Sequence, residues 1–329
     1  MKNNFTFFFV INFVFLTQLA LAQDFHFSQF ENSLINLNPA LSGIYNGQHR
    51  LLLNYKNQSF NLLKSDGYRT VSVSYDTRFK VSKKTFLGVG ANFINDRAGA
   101  LDFGSDQYKL TTSYVHNFSK DPKAPQFISF GLDFGVSQRS VDLTNAQWPS
   151  QHDGNGGFDP NLSGGTLKNN NFVHPDLGIG VVWEKSMGNN NAIRIGFAMH
   201  HINRAKVSFI GSDARLNTKY TAHASGEIKI KQRLALLPSV LFLSQGSLKQ
   251  LMAGSSARLY FNPKSTLKYL QVGAWRKAVS SSINSAPNTY TFLLETQIQK
   301  LRFAFSYDSS KGEQFVNNSL EFSLGYFFK

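Results

Sequence analysis

The sequence has no cysteine. Disulfides and thiolate metal sites are therefore unavailable, and so is a lipid anchor, which needs a cysteine at the new N-terminus. Beyond residue 21 it also has no uninterrupted apolar stretch near the ~20 residues a membrane-spanning helix requires. A helical inner-membrane protein does not fit. Acidic residues are scarce, 20 against 34 Lys and Arg, for a formal charge of +14. Yet no basic run is longer than Lys83-Lys84, so the concentrated footprint of a nucleic-acid-binding protein is missing. Charge spread this thinly suits anionic lipid head groups or a basic lumen.

What is present begins with an export signal. Lys2 precedes an apolar run from Phe5 to Leu21, broken by Asn12 and Thr17 and closing on Ala20-Leu21-Ala22. This reads as a signal peptide over residues 1–22, with cleavage leaving Gln23 first. The remaining chain combines abundant aromatics, 31 Phe and 12 Tyr, with a mean hydropathy of only −0.24. Aromatic-rich and polar together points to two-faced strands.

Strict alternation, the mark of such strands, recurs from Gly47 to the end. Ile128, Phe130, Leu132, Phe134 and Val136 alternate with Ser129, Gly131, Asp133, Gly135 and Ser137. Leu177, Ile179, Val181 and Trp183 stand against Gly178, Gly180 and Glu184, and Leu320, Phe322, Leu324, Tyr326 and Phe328 against Glu321, Ser323 and Gly325. One face suits lipid and the other water. Segments bounded by turn residues number about fourteen, each near the ~9–11 residues that cross a bilayer at a tilt. Their centres are Leu52, Val73, Val89, Thr111, Phe130, Ile179, Ile195, Ala224, Leu237, Gly254, Gly273, Leu293, Phe303 and Leu324. The expected fold is all-β: a transmembrane antiparallel β-barrel over residues 47–329. Outer-membrane barrels have short periplasmic turns and longer external loops. The expected external loops are residues 96–104, 141–171, 203–218, 278–288 and 308–317, with a short ninth connection near Gln245-Gly246 as the exception. The longest, 141–171, carries Trp148 and Phe158, aromatic candidates for contact with a partner.

Residues 23–46 precede the first strand and are too irregular to form one. Asn38-Pro39 and Gly43 are turn signals, while Phe25, Phe27, Phe30, Leu34, Ile35 and Leu37 need burial. The segment is expected to enter the barrel lumen as a plug, or to lie at the periplasmic mouth as a docking surface. Phe27, Phe30, Asn38 and Pro39 are its candidate partner-binding residues. An enzyme would need a nucleophile beside an oriented base. Asp24, His26 and Ser28 lie close in sequence, but no nucleophile-elbow signature accompanies them. His200-His201 lacks a carboxylate or second ligand at metal-site spacing. No catalytic role, metal or cofactor is expected.

Residues 23–43 read QDFHFSQFENSLINLNPALSG. They resemble the N-terminus of the PorP/SprF family, type IX secretion system membrane proteins of the Bacteroidetes. The matching pieces are Gln23-Asp24, Phe27-Ser28-Gln29-Phe30, Asn32, Leu37-Asn38-Pro39-Ala40 and Gly43, followed by Arg50 in a basic first strand. Gly88-Val89-Gly90, Asn95-Asp96, His200-His201, Leu237-Pro238-Ser239 and the closing Ser319 to Phe328 stretch look similar as well. Phe25-His26 and Ser59-Phe60 depart from the pattern. The resemblance implies an outer-membrane protein of the type IX export and gliding apparatus. Its implied partners are exported cargo, such as adhesins with a C-terminal sorting domain, and periplasmic secretion components or a peptidoglycan-linked lipoprotein. The alternative function is an outer-membrane channel for small solutes. The inward set Ser, Gly, Asp, Glu, Lys and Arg argues against a continuous apolar path, and leaves a hydrophilic pore open.

Overall fold

The computed structural model describes residues 24–59, 67–99, 101–121, 124–144, 146–154, 157, 159, 161–165, 167, 170–187, 191–209, 211–280, 288–310 and 318–328. The signal peptide assigned to residues 1–22, Gln23 and Phe158 lie outside them. The strands are β1 (His49–Gln58), β2 (Tyr68–Lys80), β3 (Thr85–Ala98), β4 (Phe103–Asn117), β5 (Gln126–Ser140), β6 (Asn171–Met187) and β7 (Asn191–His200). They continue as β8 (Lys219–Lys231), β9 (Leu234–Gln245), β10 (Leu248–Tyr260), β11 (Leu267–Ser280), β12 (Thr289–Ile298), β13 (Leu301–Ser310) and β14 (Ser319–Phe328). Each pairs antiparallel with its neighbours in sequence, and β14 closes on β1 with His49 opposite Phe328 and Gln58 opposite Ser319. Closure leaves no unpaired strand edge, the condition for a sheet to cross a bilayer. No described helix is long and apolar enough to cross a membrane.

Side-chain alternation sorts the two faces. On β5, Phe130, Leu132 and Phe134 are 54–56% exposed, while Ser129, Asp133 and Ser137 on the alternate positions are buried. The same outward set recurs in Leu51 and Leu53, Val73 and Tyr75, Ile195 and Phe197, and Phe322, Leu324 and Tyr326. Large apolar side chains facing out and polar ones facing in is the reverse of a water-soluble barrel, and it marks the outer face as lipid-facing. All fourteen centres expected from the sequence fall within strands.

Two expectations need correction. Five strands, β1, β7, β12, β13 and β14, have the expected length at 10 residues, but the others are longer than a bilayer's thickness demands, reaching 17 residues in β6. The third connection is also short: β3 runs to Ala98 and β4 starts at Phe103, leaving only residues 99–102 of the expected 96–104 loop. Here the Asp106 carboxylate accepts from Asn95 Nδ2 at 2.6 Å and from Arg97 Nη1 and Nη2 at 3.1 and 2.9 Å. This charged cross-strand pairing carries the hairpin beyond the apolar belt. The two longest connections, from β5 to β6 and from β7 to β8, join strand ends at the opposite end from the start of β1 and the close of β14. That places the chain-terminus end of the barrel on the periplasmic side.

Candidate functional site: the lumenal segment and its cradle

Residues 24–44 form no strand. A 3-10 turn at Phe30–Asn32, one turn of α-helix at Leu34–Leu37 and a second 3-10 turn at Pro39–Leu41 succeed one another. Asn38, extended at φ −161° and ψ 121°, caps the last of these by accepting the Ala40 N–H at 2.9 Å. Proline at the first helical position fits, because its missing N–H would have had no partner there.

This segment contacts the inward faces of strands all round the ring. At its centre Asn38 donates to the carbonyls of Val181 on β6 and Phe197 on β7, both at 3.1 Å, and stands 3.2 Å from His223 Nε2 on β8. Such an approach to wall backbone requires wall residues without side chains. Gly131 and Gly180 face one another across β5 and β6. A methyl group at Gly131 would collide with the Pro39–Ala40 peptide, and one at Gly180 with the Asn38 amide. Ser129 Oγ donates to Ala40 O at 2.7 Å, and Ser113 Oγ to Ser42 O at 2.7 Å.

Toward the chain-terminus end, the Gly43 N–H donates to Asp76 Oδ2 at 2.7 Å. The Asp76 carboxylate also takes Arg50 in a two-pronged pair at 2.8 and 2.7 Å, and Arg50 donates to Leu41 O at 3.1 Å. Toward the loop end, the N–H groups of Ser28 and Gln29 both donate to the Glu321 carboxylate, at 2.7 and 2.9 Å. Lys56 pairs with that carboxylate at 2.9 Å and donates to His26 O at 2.8 Å. Ser28 Oγ donates to Asp308, which Lys277 neutralises at 3.0 Å.

Asp24 ends the described segment among cations. His201 bonds it directly, with Lys219 at 3.5 Å and Arg139 at 3.8 Å. The other ring nitrogen of His201 meets Asp176 at 2.7 Å, and Asp176 in turn pairs with Lys109 at 2.7 Å. Burial alone would raise the Asp24 pKa, but His201, Lys219 and Arg139 outweigh it and hold the carboxyl well below its usual range. For His201 burial disfavours the charged ring, and Asp24 and Asp176 outweigh that to raise its pKa.

One side of the lumen is apolar. Phe30, Leu34, Leu37 and Leu41 of the segment pack on Val182, Leu241, Met252 and Trp275 of the wall. The sequence reading of an inward face made of Ser, Gly and charged residues misses this strip. Below the segment, on the chain-terminus side, lies a cavity of about 480 Å³. It is lined by Glu31 with Arg194, Arg258, Glu295 and Arg302, and by Trp275. Burial holds the Glu31 carboxyl above its usual pKa. Around Phe25 and Asn36, nearer the loop end, two voids measure about 40 and 10 Å³.

Of the residues singled out from the sequence, Phe27, Phe30, Asn38 and Pro39 are all buried inside the ring. Trp148 is half-buried in the 141–170 loop with its indole against Gly164 and Gly165, and its backbone N–H donates to Gln151 Oε1 at 3.1 Å. Asp24 and His201, weighed separately in the sequence, come together. Ser28 is bonded to a carboxylate and to Lys277, so the structure assembles no serine–histidine pair from these candidates. Among the described residues no cluster of three or more His, Asp or Glu is arranged to hold a metal ion. Sequence reasoning missed Gly131, Gly180, Glu321 and Asp308 as cradle residues. The available signal was glycine recurring at inward positions of neighbouring strands.

Comparison with known proteins gives three results. The family described as type IX secretion system membrane protein PorP/SprF matches residues 20–326. No curated protein matches. Among solved structures, the CymD monoaromatic hydrocarbon channel is similar with TM-score 0.52 and 10% identity, covering 91% of this chain and 93% of its own. The Pseudomonas putida toluene transporter TodX has TM-score 0.48 and 11% identity, covering 93% and 95%. CdiB from Acinetobacter baumannii has TM-score 0.47 and 8% identity over 85% of this chain, which spans only 60% of CdiB. At these identities the likeness to CymD speaks for the barrel fold alone.

Proposed function

Because the chain belongs to the PorP/SprF family of type IX secretion system membrane proteins, we propose that this outer-membrane barrel holds exported cargo at its loop end instead of conducting solutes. The supporting observation is the N-terminal segment, which lies across the lumen and is bonded to the wall from Asp24 to Gly43. A polar conduit would leave such groups to water. Here the wall supplies their partners, and the segment acts as a fixed plug.

Recognition then falls to the long loops. The described residues of the 141–170 loop bond to one another, with Ser150 Oγ donating to Ser163 O at 2.8 Å and the Asp159 N–H to Gln151 O at 2.9 Å. In the neighbouring 201–218 loop, Phe209 packs edge-on against Phe103 of β4 and Phe172 of β6, at 5.5 and 4.9 Å between ring centres. These braced loops offer a surface to a cargo C-terminal sorting domain, with Trp148 and Phe158 as its aromatic contacts. The cavity below the segment opens a second, periplasmic face to secretion components.

The test is recovery of tagged protein from solubilised outer membranes, with identification of what stays bound. Exported cargo should co-purify with the native protein and be lost from Trp148→Ala/Phe158→Ala while the barrel stays folded. Unchanged retention removes the loop from the proposal. The rival, a small-solute channel, draws on the 480 Å³ cavity and the apolar strip. Steady conductance in a planar bilayer by a partner-free barrel would establish it instead.

A further inference from the structure

The described residues divide their charge unevenly between the two ends of the barrel. At the end where β1 starts and β14 finishes, the connections after β2, β4, β8, β10 and β12 carry exposed Lys83 and Lys84, Lys120, Arg233, Lys264 and Lys300. Half-buried Lys185 approaches the remaining connection, after β6. Among the described residues Asp121 is the exposed acid at this end, while Glu184 and Glu227 turn inward onto the cavity. At the loop end, exposed Asp102, Asp142, Asp153 and Asp213 stand among the basic residues.

The basic residues of the first end also follow directly on the lipid-facing belt. Exposed Phe79 and Val81 flank Lys80, Phe118 stands just before Lys120, Ile230 precedes Lys231, and Ile298 and Leu301 bracket Lys300. A lysine whose stem continues an apolar band puts its ammonium at the height of the head groups. We propose that this ring binds the phosphates of anionic phospholipids in the leaflet at the chain-terminus end, the periplasmic leaflet of the outer membrane. A soluble acidic partner would be met by charge gathered on one side. Here the charge recurs at successive hairpins round the circumference and borders the belt, which is the geometry of a planar lipid surface.

The experiment uses the full-length protein in nanodiscs of phosphatidylcholine containing a minority of phosphatidylglycerol, with the lipid retained on gentle extraction quantified by mass spectrometry. Phosphatidylglycerol should be enriched about fivefold per contact, the factor equivalent to ~1 kcal/mol for a lysine at an anionic leaflet. Added salt should erode the enrichment in the native protein. Substituting Lys83→Gln, Lys84→Gln, Lys120→Gln, Lys264→Gln and Lys300→Gln together should abolish it. Substituting Arg69→Gln, Arg204→Gln, Arg215→Gln and Arg276→Gln at the other end should not. No enrichment in the native protein, or equal loss in both variants, overturns the proposal. So does a ring variant that keeps its lipid but loses an acidic periplasmic protein from outer-membrane pull-downs. The salt series on native protein keeps the question answerable should the five-site variant fail to fold. None of these readouts involves cargo, so they stand or fall separately from the loop proposal.

Discussion

Replacing Asn38 by alanine tests whether the segment is held by its wall contacts. The side chain is fully buried and serves three bonds: two donated to the carbonyls of Val181 and Phe197, and one accepted from the Ala40 N–H. The two donated bonds contribute roughly 1 kcal/mol each, and the stranded Ala40 N–H costs roughly 1–3 kcal/mol, so the total is about 3–5 kcal/mol. That is a shift of roughly 10²- to 10³-fold or more in the docking equilibrium of the segment. The interstrand ladder is untouched, so the loss falls on residues 37–44 and spares the barrel. Hydrogen exchange by mass spectrometry reads it directly: the amides of Leu41, Ser42 and Ile44, which bond within the segment, should exchange far faster while strand amides stay protected. Gly131→Val attacks the same contact from the wall side and should give the same pattern. If residues 37–44 keep native protection in Asn38→Ala, or if strands and segment loosen together, the reasoning is refuted.

Three further outcomes follow from the same geometry. The Asp24–His201 pair should hold the segment most firmly in mildly acidic buffer. The raised His201 pKa contributes stability that is complete below its usual 6.5 and lost as pH rises through the folded value. The depressed Asp24 pKa contributes stability present above 3.8 and lost as pH falls through its folded value. Exchange of the segment amides against pH checks this, and His201→Gln should flatten the alkaline limb. Asp76→Ala should lower barrel stability by about 3–5 kcal/mol, because it leaves Arg50 buried and unpaired; the urea midpoint in refolding vesicles measures it. Phe130→Arg, on the outward face, should cost about 2–4 kcal/mol in a bilayer if it lies near the midplane, and little in a charge-tolerant detergent. An equal effect in both solvents would contradict a lipid-facing belt.

Strand positions were legible because a barrel wall has a period of two and little else to decide. Phe130 and Ser129 announce their faces without knowledge of any neighbour. Connection lengths were less legible. Residues 96–104 contain Asn95-Asp96-Arg97 and Gly99 in their surroundings and look like loop, but Asp106 recruits Asn95 and Arg97 across the hairpin and keeps them in strand. The segment's need for burial was plain from Phe27, Phe30 and Leu37, whereas its cradle was not. Asp24 and His201 stand 177 residues apart and Gln29 and Glu321 292 apart, and no local pattern encodes such pairings. In the sequence Gly131 and Gly180 show only as members of the water-facing set; the register that sets them opposite one another shows that they make room for Asn38 and the Pro39–Ala40 peptide. The apolar strip escaped for a related reason. Leu241 and Met252 face inward in strands whose outward positions are also apolar, so alternation of hydrophobicity is weakest there.

The bond between Glu321 and the amides of Ser28 and Gln29 has a consequence for how the molecule is built. Glu321 belongs to β14, the strand whose pairing with β1 closes the ring, and it receives groups from among the first residues of the described chain. Without β14 in the ring, those two N–H groups and the Lys56 ammonium lack their shared acceptor. Ring closure and seating of the start of the segment are therefore coupled in free energy through one carboxylate, and a chain truncated before Glu321 would weaken both together.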